Sequence, residues 1–429
     1  MSKFHPLLQE NSPSLNHQKL ADILTNYDNI LIIQDLDGVC MELVKDPLNR
    51  TIEPKYVEAT KAFSDQFYVL TNGEHIGKRG VNSIIDRAFG DANFVHKNSL
   101  YLPGLAAGGV QWQNRKGNVS HPGVTEEELA FLATVPQRIR EQLEQFFKQF
   151  SDTRSSAEIE SDIESSILDN MASPTANLNT IYERLKTNPE RYFQLQKTME
   201  HLMETLLDEA HQQGLTDSFF VHYAPNLGRD ENGKEILRPV EKIDSGTTDF
   251  QFMIRGAIKE AGVLYLLNYY YYQRTGNYPL GKDFNVRNAP NNYSELLQLV
   301  KNNFDFNLMP ILIGVGDTVN SSVTEINGKI EARRGGSDRA FLQLIQDIHP
   351  NNIVVYIDSS GGEVKNRKPV RIETTPNGEA KVTETPTDPR DINDPLTLNL
   401  IFPRGHSEYT AFFRDVATKK LNSNTISIN

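Results

Sequence analysis

The chain has 429 residues, a formal net charge of -12 and a single cysteine. Its length predicts two domains or one domain with a large insertion. Acidic residues are spread along the chain without a basic cluster, which argues against nucleic-acid binding. The sequence has neither a long apolar run nor an apolar signal core, which argues against a membrane protein. Cys40 excludes an internal disulfide and suits a reducing compartment, so we expect a cytoplasmic protein.

The first predicted strand covers residues 30–33, where four apolar residues in a row indicate burial on both faces. Asp35 and Asp37 follow its end, and Gly38 allows a sharp turn. Ligands of parallel sheets bind beyond the carboxyl ends of the strands. Asp35 therefore suits a nucleophile and Asp37 a general acid and base. The alternative is an ordinary turn in which Asp side chains hydrogen-bond the backbone.

A second buried strand is predicted at residues 67–70, after a helical crossover. Such a βαβ unit implies a parallel pair of strands. Thr71 then follows its strand in the same layer as Asp35. The Thr71 hydroxyl and the backbone N–H groups of Asn72 and Gly73 suit a phosphoryl anion. The alternative is an ordinary Thr-Asn-Gly turn.

The middle of the chain changes character and becomes rich in Glu, Gln and Leu. We predict residues 115–244 as an inserted domain between a first core part, 1–114, and a second, 245–429. The elements predicted before and within the insertion are a helix at 77–88, strands within 100–112, helices at 126–149 and 161–212, a strand at 218–223 and a polar turn at 226–233.

A doubly wound α/β pattern resumes after the insertion. Residues 250–272 are predicted as a largely buried helix that carries Lys259. This lysine either extends to solvent or reaches a site of concentrated negative charge. Another buried strand at 309–316 ends in Asp317, and residues 365–393 are predicted as a polar surface excursion.

Strands that lie parallel and adjacent would bring Asp35, Asp37 and Asp317 to one edge of the sheet. Clustered carboxylates raise one another's pKa unless a cation lies among them. Mg²⁺, which prefers oxygen ligands, is the expected occupant. It would neutralise phosphoryl charge, with Lys259 and Thr71 assisting.

Four ordered motifs, Asp35-Leu36-Asp37-Gly38, Thr71-Asn72-Gly73, Lys259 and Gly316-Asp317, resemble those of the haloacid dehalogenase (HAD) phosphatase superfamily. The inserted domain is similar to that superfamily's C2-type cap. The resemblance implies an α/β fold with a doubly wound, parallel-sheet HAD-like (Rossmannoid) core and an inserted α+β cap. It also implies the following roles: Asp35 as nucleophile, Asp37 as general acid and base, Thr71 as phosphoryl ligand, Lys259 as charge partner, and Asp317, Asp35 and the main-chain carbonyl of Asp37 as Mg²⁺ ligands.

Three stretches resemble the cyanobacterial glucosylglycerol-phosphate phosphatase family: LPGLAAGGVQW at 102–112, HYAPNLGRD at 222–230 and SGTTDFQ at 245–251. This resemblance covers the chain nearly end to end. This resemblance implies hydrolysis of glucosylglycerol 3-phosphate, the last step in making a compatible solute under salt stress. It also suggests the upstream synthase as a partner. The alternatives are another sugar phosphate, such as sucrose phosphate or mannosylglycerate phosphate, and a non-catalytic regulatory binder.

The fourth motif departs from the superfamily pattern, because Ser321 stands where a second Asp is common. Residues 318–335, with an Asn-Gly hairpin signal, are predicted as an insertion that displaces this Asp to Asp338. Asp338 would then be a further Mg²⁺ ligand, or would simply cap the helix that follows. Lys242 and Lys282 compete with Lys259 for the third motif.

Sugar recognition has the least specific signal in the sequence. Polar side chains near the end of the predicted strand at 218–223 are candidate contacts, although surface turns often have this composition: His222, Asn226, Arg229 and Asp230. Glu74 and His75 follow the predicted phosphate-binding turn and would contact the glycerol side. A packed histidine is the alternative for His75.

Overall fold

The structure is a computed structural model that describes residues 12–44, 47–149, 154–231, 234–241, 244–326, 329–364 and 367–426. The helices are α1 (His17–Asn26), α2 (Pro54–Ala59), α3 (Val81–Phe89), α4 (Ala92–Lys97), α5 (Glu126–Lys148), α6 (Ser156–Ser166), α7 (Asn179–Leu185), α8 (Pro189–Gln212), α9 (Lys259–Thr275), α10 (Tyr293–Asn303), α11 (Arg339–Ile348) and α12 (His406–Ile426). The strands are β1 (Ile30–Gln34), β2 (Phe67–Leu70), β3 (Gly104–Ala106), β4 (Gln111–Gln113), β5 (Val119–Ser120), β6 (Ile167–Leu168), β7 (Thr175–Asn177), β8 (Phe219–Ala224), β9 (Asn226–Arg229), β10 (Glu235–Leu237), β11 (Asp249–Ile254), β12 (Ile311–Gly316), β13 (Asn320–Ile326), β14 (Lys329–Gly335), β15 (Ile353–Ile357), β16 (Arg371–Thr374), β17 (Ala380–Glu384) and β18 (Leu400–Phe402).

The described residues divide into two compact units. The larger contains the chain up to His75, Val81–Gly123 and the chain from Gly256 onwards. The smaller contains Ile76–Gly80 and Val124–Arg255. The longer segment of the smaller unit begins and ends later than the predicted inserted domain at 115–244, because β4 and β5 extend the main sheet whereas β11 belongs to the smaller one.

The larger unit is built on a sheet with the strand order β18-β15-β12-β1-β2-β3-β4-β5. Neighbouring strands are parallel from β18 to β3 and antiparallel from β3 to β5. All five residues of β1 are buried, as a central strand covered on both faces requires. The predicted α/β class with a parallel sheet is confirmed.

Helices cover both faces of this sheet. Ile313 and Val315 of β12 join the core cluster that includes Phe413 of α12, whereas Gly314 faces Leu342 of α11. The chain moves outward from β1 to β2 and β3 on one side and later to β12, β15 and β18 on the other. The strand order therefore reverses between β1 and β12, and such a switch point opens a crevice at the carboxyl ends of the strands.

The smaller unit contains an antiparallel sheet with the order β6-β7-β11-β8 and a separate hairpin of β9 and β10. Helices α5 and α8 pack against this sheet. Along β11, Phe250, Phe252 and Ile254 are buried while the residues between them are partly exposed. This period of two is typical of a strand with one covered face.

The alternation on β11 corrects one prediction, because residues 250–254 form a strand and helix α9 begins only at Lys259. The predicted helices at 161–212 are interrupted by the short strands β6 and β7. The predicted turn at 226–233 includes strand β9, and the predicted surface excursion at 365–393 contains the hairpin of β16 and β17. In each case a short strand of mixed polarity was missed, because pairing with a partner strand outweighs local composition.

Among the residues that the structure describes, no helix combines the length and apolarity needed to cross a membrane.

Gly104 is expected to be required for the close approach of β3 to β2. Its φ is +136°, and a Cβ atom there would lie 2.2 Å from the Val69 carbonyl oxygen and 2.5 Å from the Val69 nitrogen. Gly104→Ala should therefore lower the free energy of unfolding by about 3 kcal/mol or more. Gly90, with φ +71° and open space around it, provides the matched control, and Gly90→Ala should cost only about 1 kcal/mol. Urea unfolding measures both, and equal losses would contradict the steric explanation.

Candidate active site

Three carboxylates converge at the carboxyl edge of the central strands. Asp35 follows β1, Asp317 follows β12, and Asp338 directly precedes α11. All three are buried, and one oxygen atom from each lies within 4.8 Å of the others. Because β1 and β12 pair in parallel, the predicted meeting of Asp35 and Asp317 at one edge follows from the sheet itself.

Lys259 is the cation within this cluster. It is the first residue of α9, and its Nζ lies 3.1 Å from Asp35 Oδ1 and donates a hydrogen bond of 2.8 Å to Asp338 Oδ1. Burial alone would lower its pKa, but the charges of Asp338 and Asp35 outweigh burial and raise the pKa of Lys259. Lys282, a predicted competitor, is exposed, and Lys242 lies outside the described residues. Lys259 is thus the lysine that the fold brings to Asp35.

Asp338 occupies the position before α11, but its side chain makes no capping hydrogen bond to that helix. Its Oδ2 instead accepts hydrogen bonds from the backbone N–H groups of Asp317, at 2.9 Å, and Thr318, at 3.0 Å. Burial disfavours its charge, but Lys259 and these N–H groups outweigh burial and lower the pKa of Asp338. The capping interpretation is therefore wrong. The carboxylate faces the site and supports the backbone that carries Asp317.

Around Asp35 and Asp317, the nearby positive charge is too small to offset the effect of burial on the two carboxylates. Burial, opposed by Lys259, raises the pKa of Asp35 to about 7, and burial together with Asp338 raises the pKa of Asp317 well above its ordinary value. Oδ1 of Asp317 accepts a hydrogen bond of 2.7 Å from the Thr318 hydroxyl. Its buried Oδ2 has no hydrogen-bond partner among the described residues. A hard divalent cation with oxygen ligands would satisfy both the charge and this oxygen, so the residues present fit Mg²⁺.

Asp37 has different surroundings from Asp35. It lies outside the three-carboxylate cluster, and its Oδ1 is 2.9 Å from Nε of Arg50. Burial raises the pKa of Asp37 while Arg50 opposes the shift. The side chain is 24% exposed, against 8% for Asp35, so the two carboxylates of the first motif differ in both cation and access to solvent.

Thr71 lies at the end of β2, next to β1 in the sheet. Its side chain is buried, and its hydroxyl oxygen accepts a hydrogen bond of 3.2 Å from the Gly73 N–H. Two backbone bonds, from Ala107 N–H to the Gly73 carbonyl and from Gly108 N–H to the Thr71 carbonyl, hold the turn. Asn72 at its tip is exposed. The turn is therefore preformed at the same edge of the sheet as Asp35.

Glu74 and His75 are both buried directly after this turn. The His75 ring is fully buried, its Nε2 lies 3.1 Å from the Gly104 carbonyl oxygen, and its backbone N–H donates to Gln111 Oε1. Burial lowers the pKa of His75 to about 4, so the ring is neutral and Nε2 is the donor to Gly104. His75 is therefore a packed histidine. Its predicted contact with glycerol is wrong, because the ring is enclosed by the core.

Two of the predicted sugar contacts share one carboxylate within the smaller unit. Nδ1 of His222 lies 2.9 Å from Glu235 Oε2, and the Asn226 amide donates to the same oxygen at 3.0 Å. Asp230 accepts a hydrogen bond from the Lys234 N–H within the β9–β10 turn. The backbone of Arg229 ends β9. Glu235 of β10 thus joins Asn226 of β9 to His222 of β8.

Three of these site residues were not found from the sequence. For Thr318 the sequence offered a signal that could have found it, because this residue directly follows Asp317. Arg50 lies in a segment with no motif, and Glu235 lies beyond the predicted polar turn, so each becomes visible only through its contact with Asp37 or His222.

The buried imidazole of His75 should make stability depend on pH. Because its folded pKa of about 4 lies below the ordinary 6.5, the unfolded chain binds a proton in this range that the folded chain does not. Stability should therefore fall as pH decreases from 6.5 to 4, with a loss of about 3 kcal/mol from this group at the lower limit. Urea unfolding against pH should show a shallower dependence for His75→Gln than for the wild type. The exposed His96 supplies the control, and a His96→Gln profile equal to that of His75→Gln would contradict the assignment.

Comparisons with known proteins identify the family of the chain. Residues 29–417 match the family described as glucosylglycerol-phosphate phosphatase. A glucosylglycerol-phosphate phosphatase from Synechocystis sp. is 56% identical over 418 residues, which cover 96% of this chain and 98% of that protein. Among solved structures, the C-terminal domain of trehalose-6-phosphate phosphatase from C. albicans matches with a TM-score of 0.41 and 10% identity, over 95% of this chain and 98% of that chain. A putative HAD/COF-like hydrolase from Plasmodium vivax matches with a TM-score of 0.33 and 14% identity, over 94% of this chain and 99% of that chain. Because the family match covers residues 29–417 and the Synechocystis protein is 56% identical over 96% of this chain, the chain belongs to the glucosylglycerol-phosphate phosphatase family and is a phosphatase.

Proposed function

We propose that the chain is a Mg²⁺-dependent phosphatase that hydrolyses glucosylglycerol 3-phosphate to glucosylglycerol and phosphate through an aspartyl-phosphate. The observation that carries this proposal is the buried pairing of Asp35 with Lys259, 3.1 Å apart, beside Asp317 at the switch point of the sheet. A carboxylate nucleophile needs a fixed positive charge nearby when it approaches a phosphoryl group that is itself negative.

In the first half of the reaction, an oxygen of Asp35 forms a bond to phosphorus, and the bond from phosphorus to the glycerol oxygen breaks. Asp37 donates a proton to that leaving oxygen. The ammonium of Lys259 offsets the negative charge on the phosphoryl oxygens, and the turn of Thr71, Asn72 and Gly73 binds the same group. Glucosylglycerol leaves, and the phosphoryl group stays on Asp35.

In the second half, water attacks phosphorus, and Asp37 takes the proton that the water loses. The bond from phosphorus to the Asp35 oxygen breaks, which frees phosphate and restores the carboxylate. Asp35, Asp317, the main-chain carbonyl of Asp37 and Asp338 are the proposed ligands of Mg²⁺, which when bound would neutralise phosphoryl charge and help to align the substrate. The greater exposure of Asp37 supports its assignment to proton transfer, since it must reach both the leaving oxygen and water.

For the rest of the substrate, we propose that Glu74 lies on the glycerol side and that His222, Asn226 and Arg229 contact the sugar. Glu235 supports the second assignment, because it orients His222 and Asn226 from one carboxylate. Planar polar side chains held in this way can pair with the hydroxyl groups of a hexose.

The proposed pathway is the synthesis of a compatible solute under salt stress, in the cytoplasm. The synthase that makes glucosylglycerol 3-phosphate would supply the substrate, and a direct association with it stays a prediction. Co-purification of the two proteins from cells grown at high salt is the measurement for that association.

Asp35→Asn should abolish phosphate release from glucosylglycerol 3-phosphate in the presence of Mg²⁺. The loss should exceed about 1,000-fold in kcat, because the amide cannot form the phosphoryl bond. Asp358 provides a matched control: it follows β15 at the same edge, and its carboxylate accepts hydrogen bonds from the Ser360 and Val370 N–H groups. Asp358→Asn should keep most of the activity.

The same assay separates the alternative functions. Wild-type activity that survives in Asp35→Asn would rule out the aspartyl-phosphate. Faster release from sucrose phosphate or mannosylglycerate phosphate than from glucosylglycerol 3-phosphate would change the substrate and keep the mechanism. No release from any of these esters would favour a regulatory binder.

Asp338→Asn should weaken the response to Mg²⁺. The variant loses the charge that holds Lys259 and supports Asp317, so the Mg²⁺ concentration at half-maximal activity should rise by about 10-fold or more. Titration of activity with Mg²⁺ measures this shift, with Asp358→Asn again as the control. A Mg²⁺ response equal to that of the wild type would exclude Asp338 from the metal site.

A further inference from the structure

The ion pair between Asp37 and Arg50 is not explained by the sequence motifs. Nε of Arg50 lies 2.9 Å from Asp37 Oδ1, and both side chains are about a quarter exposed, at 23% and 24%. The Asp37 Oδ1 atom is itself buried and has no hydrogen-bond partner among the described residues. The Arg50 guanidinium is therefore the group that is placed to fix the orientation of this carboxyl.

Arg50 comes from a segment that is anchored in the larger unit. A 3₁₀ helix, Pro47–Asn49, ends directly before it. The Arg87 guanidinium of α3 donates to the carbonyl oxygens of Leu48 and Arg50, each at 3.4 Å. The backbone that carries the Arg50 guanidinium is thus tied to a helix of the core, so its charge is presented from a fixed base.

The two carboxylates of the first motif contact different cations. Lys259 lies 3.1 Å from Asp35 and pairs with Asp338, deep in the site. Arg50 pairs with Asp37 at the more exposed side. One lysine shared by both carboxylates could not fix them independently. The Arg50 guanidinium is the cation in direct contact with Asp37, and Lys259 acts on Asp37 more weakly.

We propose that Arg50 is a positioning residue that holds the Asp37 carboxyl group in the orientation from which it exchanges protons with the leaving oxygen. This inference rests on the function proposed above and assigns to Arg50 no contact with phosphate. Misplacing a proton donor by a small distance slows a reaction strongly. The effect should be confined to substrates whose leaving group needs a proton.

The leaving group provides the test. A sugar-glycerol alkoxide must be protonated as it departs, whereas p-nitrophenolate leaves without a proton. Arg50→Ala should lower kcat/KM for glucosylglycerol 3-phosphate by about 10- to 100-fold. It should lower kcat/KM for p-nitrophenyl phosphate by less than about 3-fold, since general acid catalysis contributes little there. The use of kcat/KM confines the comparison to the steps that form the phosphoenzyme.

A double-mutant cycle tests whether Arg50 acts through Asp37. In the Asp37→Asn background, Arg50→Ala should change kcat/KM for the sugar phosphate by no more than about 2-fold, because the group it positions is already lost. Arg404, which is 82% exposed and pairs with Glu408, is the control for removing an arginine from an ion pair. Arg404→Ala should leave both substrates unaffected.

Two results would overturn the proposal. Equal losses on both substrates would show that Arg50 binds phosphate or maintains the fold, and independent losses in the double mutant would show that it does not act through Asp37. If the wild type does not hydrolyse glucosylglycerol 3-phosphate, the proposed substrate is wrong, and the comparison is made with glycerol 3-phosphate as the unactivated ester. Failure of the wild type on every alkyl phosphate while p-nitrophenyl phosphate is hydrolysed would overturn both proposals.

Discussion

The site depends on the burial of one ammonium group among three carboxylates. Lys259 pairs with Asp338 and Asp35, while Asp317 lies beside them with an oxygen that has no hydrogen-bond partner in the described part of the chain. Such a cluster is costly in isolation, because burial and like charges both oppose ionisation. The fold fixes each group from a different element: Asp35 and Asp317 follow β1 and β12, Lys259 begins α9, and Asp338 directly precedes α11. The residual negative charge is what suits the site to a divalent cation.

The hairpin between Asp317 and Asp338 keeps these two site residues together although they are distant in the sequence. Strands β13 and β14 pair along their length, and the backbone N–H of Asp338 donates to the Thr318 carbonyl at 3.1 Å. The excursion is thus closed at its base, and its two ends return to the same place. A bidentate ion pair from Arg334 to Asp391 ties the base of the hairpin to a later segment of the chain. The hairpin therefore lengthens the chain between two site residues without separating their side chains.

Most of the core could be predicted from the sequence because its strands are continuous apolar runs that end in distinctive residues. Asp35, Thr71 and Asp317 each follow such a run, so their meeting at one edge required only the parallel order. Strand β11 was missed because Phe250, Phe252 and Ile254 occur in a segment that is apolar enough to extend the following helix. The burial of His75 and the pairing of Asp37 with Arg50 could not be predicted, since both depend on contacts between segments that share no local pattern.

The different surroundings of Asp35 and Asp37 match two different chemical demands. A nucleophile gains from burial beside a fixed cation, because little solvent must be removed before it attacks. A proton carrier must face both the leaving group and incoming water, so complete burial would prevent its second task. The motif places these residues two positions apart, and the sharp turn at Gly38 follows at once, with φ +78° and no room for a Cβ beside Asp317 Oδ2. The turn therefore lets one short segment place one carboxylate inside the cluster and the other at its edge.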